Sequence, residues 1–329
     1  VLFVRFSAYG DILMCLPALA SFRRAFPESE IHFLAATRYA HILRAVEGIC
    51  CDRLITYDRS PGLSGLFETV NVAARLSAER YDAVFDWQAN PRSRILTGFL
   101  GVRRRFTFDR RVRVHQLDKC YFTLRKLGIK PPREPAPIEL ASPDEDSWAD
   151  EVLSSIVPNS VPVALGMGGI WTTKLWPEER FHQLMELVLE EIPAHFFLIG
   201  DDRDRERTAK LAADFPGNAT DLAGRTTILQ AAALVRRCAI FIGNDTSTMH
   251  LAWVQGIPTI GIFGATDPLR TGPLGANSFS FGSSRLLCHP CFSGRCPFGG
   301  PLCLEVIRAE DVAAKALGIL EPAQAAGHD

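Results

Sequence analysis

The segment Phe241-Ile-Gly-Asn-Asp-Thr-Ser-Thr-Met-His-Leu251 changes character twice within eleven residues. An apolar, β-branched and aromatic run ends at Gly243, four polar residues follow, and the chain passes directly into an apolar stretch of helical period. A buried strand that turns through polar residues into a helix is the repeating unit of doubly wound α/β sheets. Asn244, Asp245, Thr246 and Ser247 are residue types that cap helices, and the first N–H groups of a capped helix point outward. Such a turn either only caps its helix or serves as an anion site suited to a diphosphate. His250 lies one turn in, where it faces either phosphate or core.

The same alternation extends along the chain in both directions. Before residue 130, strands are expected at 1–6, 31–35, 53–57, 82–87 and 103–108, with helices at 17–26, 63–76 and 115–127. Residues 130–143 carry Pro131, Pro132, Pro135, Pro137 and Pro143, too many for a helix, and read as a linker. Beyond it, strands are expected at 161–167, 195–199, 239–243 and 259–263, with helices at 178–191, 204–215, 226–237 and 247–255. The fold class is therefore α/β, with two doubly wound, Rossmann-like domains of parallel sheet. The first covers 1–143, linker included, and the second 144–329. Ligands of such sheets bind beyond the carboxyl ends of the strands, and two facing domains create a cleft.

Composition bounds the function. Hydrophobic residues make up 47% and charged residues 22% of 329, which excludes disorder, collagen and simple repeats. A net charge of −1 argues against a nucleic-acid coat. No apolar run approaches the roughly 18 residues of a membrane span. Val1 already stands in an apolar run, so the native start is expected upstream. Five of nine cysteines are scattered through apolar stretches, as reduced thiols are, and a cytoplasmic setting is expected.

Three further loops follow expected strands. In Ser7-Ala-Tyr-Gly-Asp11, the carboxylate of Asp11 stands at a helix start, either as a cap or as a general base. Gly166-Met-Gly-Gly169 leads to Lys174, a point charge for phosphate. Its order of glycines, lysine and hydroxyl is not that of the Walker loop, nor is the dinucleotide glycine fingerprint present. Gly200-Asp-Asp-Arg-Asp204 invites a divalent metal, but carboxylates at a helix start are commoner, and that plain reading is preferred for Asp201 and Asp204. Asp202 is assigned to ribose hydroxyls.

Taken together, these residues resemble the ADP-heptose:lipopolysaccharide heptosyltransferases, which have the two-domain GT-B glycosyltransferase fold. The resemblance is carried by Val4-Arg-Phe-Ser-Ala-Tyr-Gly-Asp11-Ile with Leu16-Pro-Ala-Leu19, His115-Gln-Leu-Asp118 and Lys174-Leu-Trp-Pro177. Most specific is Gly243 to Leu251, continuing through Gly256-Ile-Pro258, Phe263-Gly264 and Thr266-Asp-Pro268. It implies that Asp11 is the catalytic base, that Lys174 contacts the donor phosphates, and that Asp202 binds the donor. Asp245, Thr246, Ser247 and His250 match the donor-binding turn, with Ser247 where many members have glycine. Asp202 is one methylene shorter than the glutamate often found at its position.

An inverting transfer would suit these tools, with Asp11 deprotonating the acceptor and Lys174 with the Thr246 helix start stabilising the leaving diphosphate. No metal cofactor is required. The alternatives are a GT-B transferase using another nucleotide sugar, or a nucleotide-binding protein without turnover.

Two imbalances remain. Arginine outnumbers lysine 30 to 6, and eight arginines fall between Arg92 and Arg113, opposed only by Asp109. Within that run Arg110, Arg111 and Arg113 are assigned to the acceptor, since lipopolysaccharide core is rich in phosphate and carboxylate. The run is otherwise a solvated face, or one that rests on anionic lipid at the inner face of the bacterial inner membrane. Cys288, Cys291, Cys296 and Cys303 have spacings that suit a structural zinc, two disulfides or free thiols.

Overall fold

A computed structural model of the chain describes residues 1–58, 62–140, 142–284 and 286–325. Ala141 in the expected linker and residues 326–329 of the expected second domain lie outside them. The chain divides into two compact units, Val1–Glu139 and Leu140–Asp329. The division falls inside residues 130–143. Pro143 belongs to the second unit, where it opens the helix Pro143–Ser154 in its favoured first-turn position, with Ser142 as N-cap.

The first unit holds a five-stranded, wholly parallel sheet: β1 (Leu2–Val4), β2 (His32–Ala36), β3 (Arg53–Tyr57), β4 (Ala83–Asp86) and β5 (Arg104–Thr107). Their order is β3-β2-β1-β4-β5, so the strand order reverses at β1 and β4. Strands covered on both faces are largely apolar, as β1 and β2 show, and the buried His32 of β2 has its ring nitrogens bonded to Tyr81 and Glu30. On one face Leu2, Val4, Leu34 and Ile55 pack under Val72, Ala73, Leu76 and Leu96 of the helices Gly62–Ser77 and Pro91–Gly98. On the other, Phe3 stacks on Phe85 at 4.7 Å and meets Phe22 of the helix Leu16–Ala25 edge-on.

The second unit has six parallel strands: β6 (Val161–Gly166), β7 (Ala194–Ile199), β8 (Ala219–Asp221), β9 (Ile240–Asn244), β10 (Thr259–Phe263) and β11 (Phe279–Gly282). Their order is β11-β10-β9-β6-β7-β8, with the reversal between β6 and β9. There the two backbones approach closely. A Cβ built on Gly243 would stand 2.4 Å from the Gly166 carbonyl oxygen and 2.7 Å from its Cα, so glycine is required at the end of β9. One core lies under the helices Glu178–Glu191 and Ala309–Ala325, where Trp176, Phe181 and Val312 cover Leu165, Phe196 and Ile242.

The expected strands all occur, and two coincide with their predicted limits, β3 and β10. Two strands were not expected. β8 is three residues long and half-buried, and β11 is an edge strand, so neither carries a continuous apolar run.

Candidate functional site

All strands of each sheet are parallel, so the loops that follow them emerge at one edge. In the second unit the loops after β6 and β9 meet at the reversal of strand order, where doubly wound sheets bind ligands. The side chain of Asn244, fully buried, laces the two together: its amide donates to the carbonyls of Met167 (2.7 Å) and Gly168 (3.1 Å) and accepts from Trp176 N–H at 3.1 Å.

Asp245 is the hub of the loop after β9. Its Oδ2 accepts from Lys174 Nζ at 2.7 Å and from Thr266 Oγ1 at 2.7 Å. The ammonium also reaches the Asp245 carbonyl at 3.2 Å and sits over the Trp171 ring, 5.3 Å from its centroid. The carboxylate is 5% exposed and the lysine 21%, so the buried acid fixes a cation that remains accessible. Thr246 is the N-cap of the helix Ser247–Val254, and both Thr246 and Ser247 are half-buried. A lysine and the first turn of a helix thus converge at one strand end, an arrangement that attracts an anion.

His250 turns toward Asp245. Its Nδ1 accepts from Trp253 Nε1 at 3.0 Å, which places the proton on Nε2, and Nε2 lies 3.8 Å from Asp245 Oδ1. Buried as it is, the imidazole supports the acid from the core side.

The three aspartates after β7 serve different ends. Asp204 is buried, accepts from Asp201 N–H at 2.9 Å, and pairs with Arg207. Glycine at 168 and 200 makes room for it, since a Cβ at either position would come within 2.7 Å of its carboxylate. Asp201 caps the following turn by accepting from Arg203 N–H. Asp202 is 80% exposed and pairs with Arg205 at 2.9 Å.

In the first unit Asp11 occupies the third position of the helix Tyr9–Leu13. It is both a cap and an ion-pair partner: Oδ2 accepts from Ala8 N–H at 3.2 Å, and Oδ1 lies 2.7 Å from Arg5 Nη2. The carboxylate remains 38% exposed. Arg5, 6% exposed, donates its other terminal nitrogen to the Trp87 carbonyl in the loop after β4, and Phe6 N–H donates to Gln88 Oε1 there. Asp11 is therefore anchored at the first sheet's own reversal point. Arg110, Arg111 and Arg113 are exposed in the loop after β5, at the same edge and two strands across, or about 10 Å in strand spacing.

Cys288, Cys291, Cys296 and Cys303 carry free thiols, the first two exposed and the others half-buried. Burial, with the neighbouring thiols of Cys291, Cys288 and Cys296, pushes the Cys303 thiol upward. Among the described residues no group of three or more His, Cys, Asp or Glu side chains is disposed to hold a metal ion. The loop does pack against the segment that leads to Lys174. Thr172 and Thr173 hydroxyls donate to the carbonyls of Gly294 and Ser293, and Gly294 lies against the Trp171 ring.

Comparison with known proteins places this geometry. Residues 159–301 match the family described as glycosyltransferase family 9 (heptosyltransferase). Lipopolysaccharide heptosyltransferase 1 of Pseudomonas aeruginosa is 27% identical over 91% of the chain and 87% of its own length. The chain is similar to the family 9 heptosyltransferases over these residues.

Solved structures agree on the fold. The crystal structure of the family 9 glycosyl transferase from Veillonella parvula superposes with a TM-score of 0.81 at 20% identity, covering 98% of this chain and 97% of that one. The E. coli heptosyltransferase WaaC, with ADP-2-deoxy-2-fluoro heptose, gives 0.68 at 20% identity over 96% and 98%. The two parallel-sheet units are thus the GT-B architecture that the sequence resemblance implied. No role was assigned from the sequence to Arg5, Thr266 or Trp253, each of which holds a residue that has one: Asp11, Asp245 and His250 respectively.

Proposed function

We propose that the chain transfers a heptosyl residue from ADP-heptose to the inner core of lipopolysaccharide, with inversion and without a metal. The observation that carries this is the Lys174–Asp245 pair beside the Thr246 helix start, at the reversal between β6 and β9. The family match covers that loop set, and the WaaC relative is known with a donor analogue.

In the proposed step an acceptor hydroxyl attacks the anomeric carbon of the donor and loses its proton to Asp11. The new carbon–oxygen bond forms as the bond from that carbon to the diphosphate breaks, and ADP leaves with the electron pair. Lys174 and the N–H groups of the helix Ser247–Val254 take up the charge that develops on the diphosphate. Asp245 does not touch the donor in this scheme; it orients Lys174, with Thr266 and His250 behind it. Asp202 is assigned to the donor's ribose, and Arg110, Arg111 and Arg113 to anionic groups of the acceptor. The reaction is placed at the inner face of the bacterial inner membrane, where such an acceptor is held. A zinc ion on the four clustered cysteines takes no part in any step.

The test is turnover of ADP-heptose with lipopolysaccharide precursors, against UDP-sugars as controls. Asp11→Asn should lower kcat by about 10²- to 10⁴-fold in folded protein. Normal turnover by that variant, or preference for a UDP-sugar, would overturn the reading.

A further inference from the structure

The helices Gly62–Ser77 and Pro91–Gly98 pack together on one face of the first sheet and share its core. They bury one side each. Thr69, Val72, Ala73 and Leu76 face inward on the first helix, and Ser93, Leu96 and Thr97 on the second. The opposite sides should be polar, yet they carry large apolar side chains. Phe67 is 69% exposed and Val70 47%; Ile95 is 49% exposed and Phe99 63%. At 100° per residue, Phe67 lies almost diametrically opposite the buried arc of its helix, and Ile95 does so on the other. The two helices meet at their carboxyl ends, where Ser77 Oγ donates to the Phe99 carbonyl at 3.2 Å. Two outward apolar faces therefore form one outer layer.

Charge decides what can cover this layer. Arg75 and Arg94 are exposed on the two helices, and Arg103, Arg104 and Arg105 are exposed at the edge strand β5. Arg105 is tied to the layer, donating to the Gly98 carbonyl at 3.0 Å. The first unit as a whole has 22 basic and 14 acidic residues, a formal +8, whereas the second has 14 and 23, or −9. A second copy would have to bring the same arginines against themselves across a two-fold axis. An anionic bilayer meets both requirements at once: acyl chains for the phenylalanines and phosphates for the guanidiniums.

We infer that Phe67, Val70, Ile95 and Phe99, ringed by Arg75, Arg94 and Arg105, form the surface by which this chain docks on an anionic membrane. The inference deepens the proposed place of the reaction and does not depend on its chemistry. No helix among the described residues is long and apolar enough to cross a membrane, so docking by this surface is peripheral.

The experiment is co-sedimentation of the full chain, without donor or acceptor, with phosphatidylglycerol–phosphatidylethanolamine vesicles and with pure phosphatidylcholine vesicles. The chain should bind the first, more weakly as salt is raised, and not the second. Phe67→Ser with Phe99→Ser should lower the partition coefficient at least about tenfold. Arg75→Gln and Arg94→Gln should each lower it about fivefold. These side chains are exposed, so unchanged circular dichroism and thermal midpoint are expected. No binding to the anionic vesicles, or binding that the phenylalanine pair leaves unchanged, would overturn the inference. So would sedimentation velocity showing a dimer that this pair dissolves. Asp11→Asn separates the two readings, since it should abolish transfer while leaving vesicle binding intact.

Discussion

Arg5 grips Asp11 at 2.7 Å with one guanidinium nitrogen while the other donates to the Trp87 carbonyl. One oxygen of the acid is thereby fixed from inside the protein, and the carboxylate keeps an accessible edge. Burial opposes charge on Arg5, but pairing with Asp11 prevails and its pKa is raised, so the cation persists at any working pH. In the proposed role, a carboxylate held this way takes the proton from a fixed position, and displacement by about 1 Å can reduce a rate by roughly 100-fold. Arg5→Met should therefore lower kcat about 10- to 100-fold with little change in either KM. Arg5→Lys, which keeps a charge, should recover part of the loss, and added guanidinium should rescue Arg5→Met. Steady-state kinetics on both substrates checks this. A rise in KM with kcat intact would show that Arg5 only supports the fold.

On the donor side, Lys174 is expected to act on the leaving group and Asp245 through Lys174. Lys174→Met should reduce kcat by about 10²- to 10³-fold, the usual loss on removing one preorganised electrostatic contact. Asp245→Asn keeps the hydrogen bond from Thr266 but frees the lysine, and a smaller loss of kcat is expected. In the double variant the Asp245 substitution should add little, because both act through one ammonium group. Additive losses in that cycle would mean that Asp245 meets the donor directly.

These two pairs mark how far the sequence could be read. Strands and helices were legible where an apolar run or a helical period is unbroken, as in β10 and Glu178–Glu191. Lys174 and Asp245 were both legible as residue types for a phosphate site. Their partnership was not, because they are 71 residues apart and meet only because β6 lies beside β9. Arg5 stands in an apolar strand run, where a charged residue reads as exposed; the Asp11 carboxylate and the Trp87 carbonyl together make its burial possible. The exposure of Phe67 and Ile95 was not legible either, since only the packing on the sheet shows which side of each helix is covered.

The acceptor assignment makes a separate prediction. Arg110, Arg111 and Arg113 lie in the loop after β5, about 10 Å in strand spacing from β1. Replacing all three by glutamine should raise the acceptor KM at least about tenfold, from the loss of charge-assisted hydrogen bonds. Donor KM should stay unchanged, because its contacts are assigned to the second sheet. Equal effects on both substrates would make the loop a structural support.

The cysteines can be sorted by their reactivity. A thiol reacts as its thiolate, and both burial and a raised pKa suppress that form. Burial pushes Cys51 up to about 12, and raises Cys238 and Cys120 as well. Cys288 and Cys291 are exposed, with Cys296 and Cys303 partly so. A thiol-disulfide reagent at neutral pH should therefore label Cys288 and Cys291 first in the native chain, and the five buried thiols only after unfolding. The order is read by mass spectrometry of the labelled peptides. A zinc ion on the four clustered cysteines would suppress that first labelling, since metal-held thiolates are shielded until the ion is removed. Labelling before and after a strong chelator, with metal content measured on the same sample, decides between free thiols and a zinc knuckle. In either case heptosyl transfer should survive the chelator, because the charge on the leaving diphosphate is assigned to Lys174 and the helix N-terminus. A loss of turnover restored by a divalent cation would overturn the metal-independent step.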